Sequence, residues 1–199
     1  MLEARPGSKR YLLWVALSAC ASVMLLATTN HISHEILAAP FLWVLPLVLY
    51  LVSFIVCFSL WRCYSRTTYL ALLFASSVLF CWMFYYKPLS LNVWAYIGVY
   101  CLSLFVVCMV CHGELAALAP PTHYLTTFYV LISLGGALGG VAVNLVAPSV
   151  FPDFWEFPLV LLGCWLRTGY PPSPQAHDWL AGRSHWLGYG HPGCLWTNG

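Results

Sequence analysis

Charge is what this sequence has least of. Eight Lys and Arg and six Asp and Glu make up only 7% of the 199 residues, whereas about 25% is usual for a soluble domain. So few charges cannot cover the exterior of a fold in water. Lipid is therefore the medium that we expect around most of the chain.

Several kinds of site are also missing from the sequence. The formal net charge is only +2, and no basic run alternates with aromatic residues, so we expect no nucleic acid partner. No glycine-rich phosphate loop follows a predicted strand. No stretch sustains the alternation of polar and apolar residues that membrane strands require. Nucleotide binding and a strand-based fold are therefore both disfavoured.

Long apolar runs are what the sequence has instead. Hydrophobic residues make up 61% of the chain, and the mean hydropathy is +0.80. Runs of about 20 residues can cross a hydrocarbon core of about 30 Å as helices, which satisfy their own backbone groups. We predict an all-α integral membrane protein, a bundle of five to six transmembrane helices, over about 11–29, 41–61, 67–86, 91–111 and 124–147, with a partial span at 150–166.

Basic residues set the predicted orientation. With the N-terminus inside, the inner side holds most of the Lys and Arg near the spans, and the outer side holds only Lys87. The positive-inside rule then places residues 1–10 in the cytoplasm of a bacterial inner (plasma) membrane. Residues 168–199 are rich in Gly, Pro, His and Trp and lack a helical period. We predict an irregular, disordered or truncated tail there. The basic residues that the predicted orientation places on the inner side of the membrane are Arg5, Lys9, Arg10, Arg62 and Arg66.

A cysteine–histidine–carboxylate group closes the fourth apolar run. Cys108, Cys111 and His112 match the C-x-x-C-H haem attachment pattern, but they lie at the inner end of a span, away from the side where haem c is attached. Zinc would need four ligands, and the spacing from Glu114 onwards gives no tetrahedral set. We therefore predict no cofactor and no metal. The favoured interpretation is structural: Gly113 ends the helix, and His112 complements its dipole. A polar gate or a partner-docking loop is the alternative.

A second polar group lies between the first two runs, in TTNHISHE. Asn30, His34 and Glu35 crowd an otherwise apolar outer loop. A carboxylate at a membrane edge indicates function by default, so these residues are candidates for binding a cationic solute. Glu35 also suits the positive end of the second helix, which is the structural interpretation.

Small residues and proline carry two further predictions. The overlapping G-x-x-x-G pairs of SLGGALGG predict close helix packing in lipid. Pro46, within the second run, predicts a helix kink. The nine cysteines lie mostly in apolar runs, so we interpret them as packing residues rather than a disulfide framework. The four glycines of the SLGGALGG run are Gly135, Gly136, Gly139 and Gly140.

Three phrases together resemble the membrane region of bacterial spermidine-synthase-like proteins, which fuse a major-facilitator-like region to an aminopropyltransferase-like domain. The resemblance covers roughly residues 10–167 and implies that Asn30, Glu35, His112 and Glu114 are functional. The soluble synthase domain is absent from this chain, so we expect no catalytic activity from it. The phrases are TTNHISHEILAAPFLWVLPLVLYLVSFIVCF, CHGELAALAPPTHYLTTFYVLISLGGALGG and NLVAPSVFPDFWEFPLVLL.

Two functional hypotheses remain open. In the first, this membrane domain handles a small cationic solute such as a polyamine. In the second, it is a non-catalytic anchor or scaffold subunit of a larger membrane complex, packed through its glycines. Five or six helices are few for a secondary transporter. We therefore expect a homo-oligomer, a membrane-complex partner or a separate aminopropyltransferase-like domain beside it, in addition to the lipid bilayer.

Overall fold

The described part of the chain is helical. A computed structural model describes residues 8–35, 42–59, 66–86, 93–120, 122–146 and 156–168, and no strand occurs among them. A 3-10 turn, Thr122–Tyr124, precedes the fifth helix, and a π-helical turn, Ala142–Val146, follows it. Most of the predicted N-terminal tail and nearly all of the predicted C-terminal tail lie outside the described residues. The helices are α1 (Ser8–Glu35), α2 (Val44–Ser59), α3 (Arg66–Tyr86), α4 (Val93–Ala117), α5 (Leu125–Val141) and α6 (Glu156–Thr168).

Three of these helices are long and apolar enough to cross a membrane. They are Ser8–Ser33 within α1, Val93–Ala117, and Leu125–Leu145, which joins α5 to its π-helical turn. Their mean hydropathies over the best window are 2.0, 2.2 and 1.8. Val44–Ser59 and Thr67–Met83 are shorter apolar helical stretches. The prediction of a helical chain with membrane-length segments is confirmed to this extent, and it fits a membrane protein.

Helix α4 is the centre of the bundle. Every residue from 106 to 116 is buried, so this half of the helix has no exposed face. Helices α1, α2, α3 and α6 all pack against it. A helix that is apolar around its whole circumference is expected inside a bundle, and α4 combines the highest hydropathy with the greatest burial of the three long helices. Polar side chains carried by α4 are therefore held in the interior.

Contacts at the two ends of α1 fix the directions of its neighbours. The Trp14 indole N–H donates to the Leu118 carbonyl oxygen at 3.2 Å, and His31 contacts Tyr96 near the start of α4. Helices α1 and α4 are therefore antiparallel. Phe128, near the start of α5, packs edge-on against Trp14 with ring centroids 5.1 Å apart, so α5 enters the bundle at the same end as α1. Helices α1 and α5 therefore run in one direction and α4 in the other.

Large apolar side chains cover much of the outside of the bundle, and a few polar residues are buried within it. Large aliphatic and aromatic residues are exposed along α2, α3 and α5, with Ile55, Phe74 and Val130 each about 60% accessible. A water-soluble protein rarely exposes continuous apolar faces of this kind, whereas lipid leaves them in a matching medium. The buried polar or charged residues are Ser18, Thr28, Ser53, Ser76, Ser103, His112 and Glu114.

The end of α4 differs from the prediction. The interpretation that Gly113 ends this helix is wrong, because the helix continues to Ala117 and its last turn closes with the Leu118 N–H donating to the Glu114 carbonyl oxygen at 3.1 Å. Pro120 provides the physical reason for the actual end, because proline cannot donate to a preceding turn and disfavours a helical residue before it. His112 is thus well inside the helix rather than at its dipole end.

The end of α1 also differs from the prediction. Asn30, His34 and Glu35 were expected in a loop, but their backbone forms the last turns of α1. Polar residues are accommodated within a membrane helix when they bond to its own backbone, as Thr29 does through its hydroxyl to the Leu25 carbonyl oxygen at 2.8 Å. Glu35 is the last residue of α1 and lies outside α2. The side chains of His34 and Glu35 are outside the described residues.

Pro46 lies in the first turn of α2 rather than in the middle of a span. The first N–H groups of a helix have no intrahelical partner, so the missing N–H of Pro46 removes no helix bond. The predicted kink has no physical basis at this position.

Candidate functional site

His112 lies in the centre of the bundle, with only 1% of its surface exposed. Its Nδ1 atom is 3.0 Å from the Ser53 hydroxyl of α2. That hydroxyl donates its one hydrogen to the Tyr50 carbonyl oxygen at 2.7 Å. Because a hydroxyl has a single hydrogen, the Ser53 oxygen accepts from His112, and the network assigns the imidazole proton to Nδ1.

Two aromatic rings of α2 hold the His112 imidazole in place. Tyr50 and Phe54 both pack edge-on against it, with ring centroids 5.0 Å and 5.2 Å away. Since Nδ1 is directed to Ser53 on α2, it is not directed at Cys111 or Glu114 on its own helix. The next histidine along the chain, His123, is exposed. Among the described residues, Cys111, His112, Glu114 and His123 do not come together as a zinc-binding set.

Glu114 follows half a turn after His112 and is 5% exposed. A carboxyl group at this depth in an apolar bundle is costly, and such residues are usually functional. The haem pattern that precedes it lies on α4, where Cys108 and Cys111 are 0% and 1% exposed. A covalent haem would need both thiols to be accessible from solvent, so the geometry does not suit attachment of haem.

His31, one of the polar residues of TTNHISHE, belongs to a polar group that joins α1 to the start of α4, although its partners there were not predicted. The His31 Nε2 atom is 2.7 Å from the Tyr96 hydroxyl, and that hydroxyl is 3.2 Å from the hydroxyl of Tyr100. The His31 ring also packs on Tyr100 at a centroid distance of 4.4 Å. The i, i+4 spacing of the two tyrosines places them on one helix face, which was a usable signal. Asn30, the neighbour of His31, is half-buried.

A group of three thiols is the other feature that sequence reasoning missed. The Sγ atoms of Cys20, Cys111 and Cys164 all lie within 4.8 Å of one another, and those of Cys111 and Cys164 are 3.7 Å apart. The three residues come from α1, α4 and α6. We had interpreted the cysteines as separate packing residues, and no spacing in the sequence links these three. Each of them is a free thiol.

The glycine run is occupied by α1 of the same chain. A Cβ added at Gly135 would lie 2.5 Å from the Val15 carbonyl oxygen, and one added at Gly139 would lie 2.7 Å from that of Ala19. Gly136 and Gly140 are less crowded, with nearest atoms at 3.4 Å and 3.8 Å on α1 side chains. The scaffold hypothesis assigned these glycines to a partner, but all four already face α1.

Asn144 has a local role as well. Its side-chain amide donates to the Gly140 carbonyl oxygen at 2.9 Å, within its own helical segment. The π-helical turn that carries Asn144 is exposed at this residue.

The structure therefore separates the predicted site residues into two places. His112 and Glu114 both lie in the buried half of α4, on different sides of that helix. Asn30, His34 and Glu35 lie in the last turns of α1, and their neighbour His31 contacts the start of α4. Comparison with protein-family models, with curated proteins and with solved structures gives no match for this chain.

Proposed function

We propose that this chain is a multi-pass protein of a bacterial inner membrane, with five or six spans and a cytoplasmic N-terminus, and that it handles a small cationic solute such as a polyamine. The observation that carries the proposal is the burial of Glu114, 5% exposed, on the central helix of an apolar bundle. A cation is the ligand for which a buried carboxylate is the natural counter-charge.

The buried half of α4, which carries Glu114, also packs on its His112 side against groups that suit an organic cation. His112 and Ser53 add hydrogen-bonding groups in the same core, and the rings of Tyr50 and Phe54 lie beside them. Aromatic faces attract ammonium groups, most strongly where water is excluded. An aliphatic chain with amino groups at intervals would use both the carboxylate and the aromatic rings.

The resemblance to spermidine-synthase-like proteins favours a polyamine as this cation. It also supports a place for the chain as the membrane region of such a protein, working with a separate aminopropyltransferase-like domain. Under this proposal Glu35 attracts the cation at the outer side, while Glu114 binds it within the bundle.

Uptake of labelled spermidine into vesicles that contain the purified protein tests the proposal. We expect Glu114→Gln to reduce uptake by more than about tenfold, since a hydrogen bond to a charged group contributes about 1.5–3 kcal/mol. Glu35→Gln should reduce uptake mainly at low ionic strength, where a charge near the surface is least screened. Asn144→Ala is the control, because its amide bonds only within its own helix.

Equal uptake by all four proteins would overturn the solute hypothesis and leave the anchor hypothesis in its place. The anchor hypothesis makes the opposite prediction for Glu114→Gln: no effect on a solute, with retention of any bound aminopropyltransferase-like partner.

A further inference from the structure

We infer that Cys20, Cys111 and Cys164 form a binding site for one thiophilic metal ion, and that Cu(I) is the ion that fits it best. The inference is independent of the solute proposed above. Cys111 of α4 meets the thiols of α1 and α6, whereas His112 bonds to α2. Three helices that are distant in sequence supply one sulfur each, which makes this a built site rather than a local pattern.

The distances match three-coordinate binding. A metal–sulfur bond of about 2.3 Å in a trigonal plane sets the sulfur atoms about 4.0 Å apart. The three Sγ atoms are all within 4.8 Å of one another, and the closest pair is 3.7 Å apart. Shifts of less than about 1 Å would bring all three to the bonding distance, which side-chain rotation alone can provide.

The ligand set selects the metal. Thiolates prefer soft ions such as Cu(I), whereas zinc sites almost always take four ligands. Among the described residues, no histidine, carboxylate or further cysteine joins the three thiols. The nearest histidine in sequence, His112, has its Nδ1 atom bonded to Ser53. A three-sulfur site without a fourth ligand therefore favours Cu(I) over Zn²⁺.

Access and charge are compatible with such a site. Cys111 and Cys164 are buried and Cys20 is partly exposed, so one of the three sulfur atoms is not fully enclosed by protein. A thiol that becomes a thiolate ligand releases its proton. One proton released for one Cu(I) bound leaves the site neutral, whereas three would leave two negative charges in an apolar interior. We expect fewer than three protons to be released per ion, because that interior disfavours charge.

The test uses the full chain, purified in detergent without oxygen and with three other cysteines removed. In this background Cys63, Cys81 and Cys194 are replaced by serine. Cu(I) is titrated in competition with a chromophoric chelator, and bound copper is counted by mass spectrometry. We expect one ion per chain in the background protein. The same count is expected with Cys101→Ser, because Cys101 is a buried cysteine of α4 outside the group.

Cys20→Ser, Cys111→Ser and Cys164→Ser should each weaken binding by more than about tenfold, since even changes in the residues around a ligand cost about 10–100-fold. Cys20→Ser is the most informative variant, because its partial exposure makes a folding defect least expected. Equal affinity in these three variants and in Cys101→Ser would overturn the inference.

Two further measurements keep the test decisive if a variant fails to fold. X-ray absorption on the copper-loaded background protein should show sulfur as the only class of neighbour, and nitrogen or oxygen neighbours would overturn the inference. Cu(I) should also raise the thermal unfolding midpoint of the background protein, since a ligand that binds only the folded state stabilises it. An unchanged midpoint at saturating Cu(I) would count against the site.

Discussion

Replacing Gly135 with alanine should loosen the contact between α1 and α5. The added Cβ would lie 2.5 Å from the Val15 carbonyl oxygen and 2.9 Å from the Ser18 Cβ. The nearest of these is a backbone atom, which cannot rotate away. Ordinary contact begins at 3.4 Å, so the two helices must separate locally by about 0.9 Å (3.4 Å less 2.5 Å).

Three effects set the size of the change in the free energy of unfolding. Overpacking in a close-packed region costs about 1–3 kcal/mol. The separation also lengthens the bond from the Ser18 hydroxyl to the Ile132 carbonyl oxygen, now 2.6 Å, which contributes about 1 kcal/mol. Alanine is a better helix former than glycine by about 1 kcal/mol. Together these give a net loss of about 2 kcal/mol.

The assay is reversible unfolding of the purified protein in mixed detergent micelles, monitored by Trp fluorescence. Gly98→Ala is the control, because a Cβ at Gly98 meets nothing within 4 Å, and it should be neutral or stabilising. Gly139→Ala should resemble Gly135→Ala, since its Cβ would lie 2.7 Å from another backbone oxygen.

The double variant makes the reasoning refutable. One separation of α1 from α5 relieves both contacts, so Gly135→Ala with Gly139→Ala should lose clearly less stability than the sum of the two single losses. Strict additivity, or a Gly135→Ala protein as stable as Gly98→Ala, would show that the two helices are not in backbone contact here.

Ser53→Ala should lower the free energy of unfolding by about 1–3 kcal/mol, because it leaves the buried His112 Nδ1–H without its acceptor. The same unfolding assay measures this change, with the exposed Ser133→Ala as the control. A loss no larger than that of the control would contradict the assigned hydrogen bond. Trp14→Phe keeps an aromatic ring in the core but removes the N–H that donates to the Leu118 carbonyl oxygen. We expect the free energy of unfolding to fall by about 1 kcal/mol. Thermal unfolding followed by circular dichroism measures this, and an unchanged unfolding midpoint would contradict the expectation.

The helices could be predicted from the sequence because hydropathy and length act locally. An apolar run of membrane length has few alternatives to a helix in lipid, and α1, α4 and α5 follow from that. Helix ends were harder to predict. The first polar residues after an apolar run predict the exit from the membrane, yet His112 and Glu114 continue α4 because the bundle surrounds them.

The candidate sites could not be predicted because their partners are distant in sequence. His112 bonds to Ser53, 59 residues away, and Cys111 lies beside Cys164, 53 residues away. Neither pairing leaves a pattern along the chain, since helices of a bundle meet according to packing and depth. The glycine run did indicate close packing by its spacing, but the choice of α1 as its neighbour depends on small residues of α1, such as Ala19, facing it.

The central claim is that lipid surrounds the apolar outer faces of the helical bundle. Spin labels at Leu51 and Val130, on the exposed faces of α2 and α5, and at Lys9, at the start of α1, test it in lipid nanodiscs. We predict that oxygen relaxes the labels at positions 51 and 130 strongly and a water-soluble nickel chelate hardly affects them, with the reverse at position 9. If the nickel chelate relaxed all three labels equally, those faces would lie in water, and the account would be contradicted.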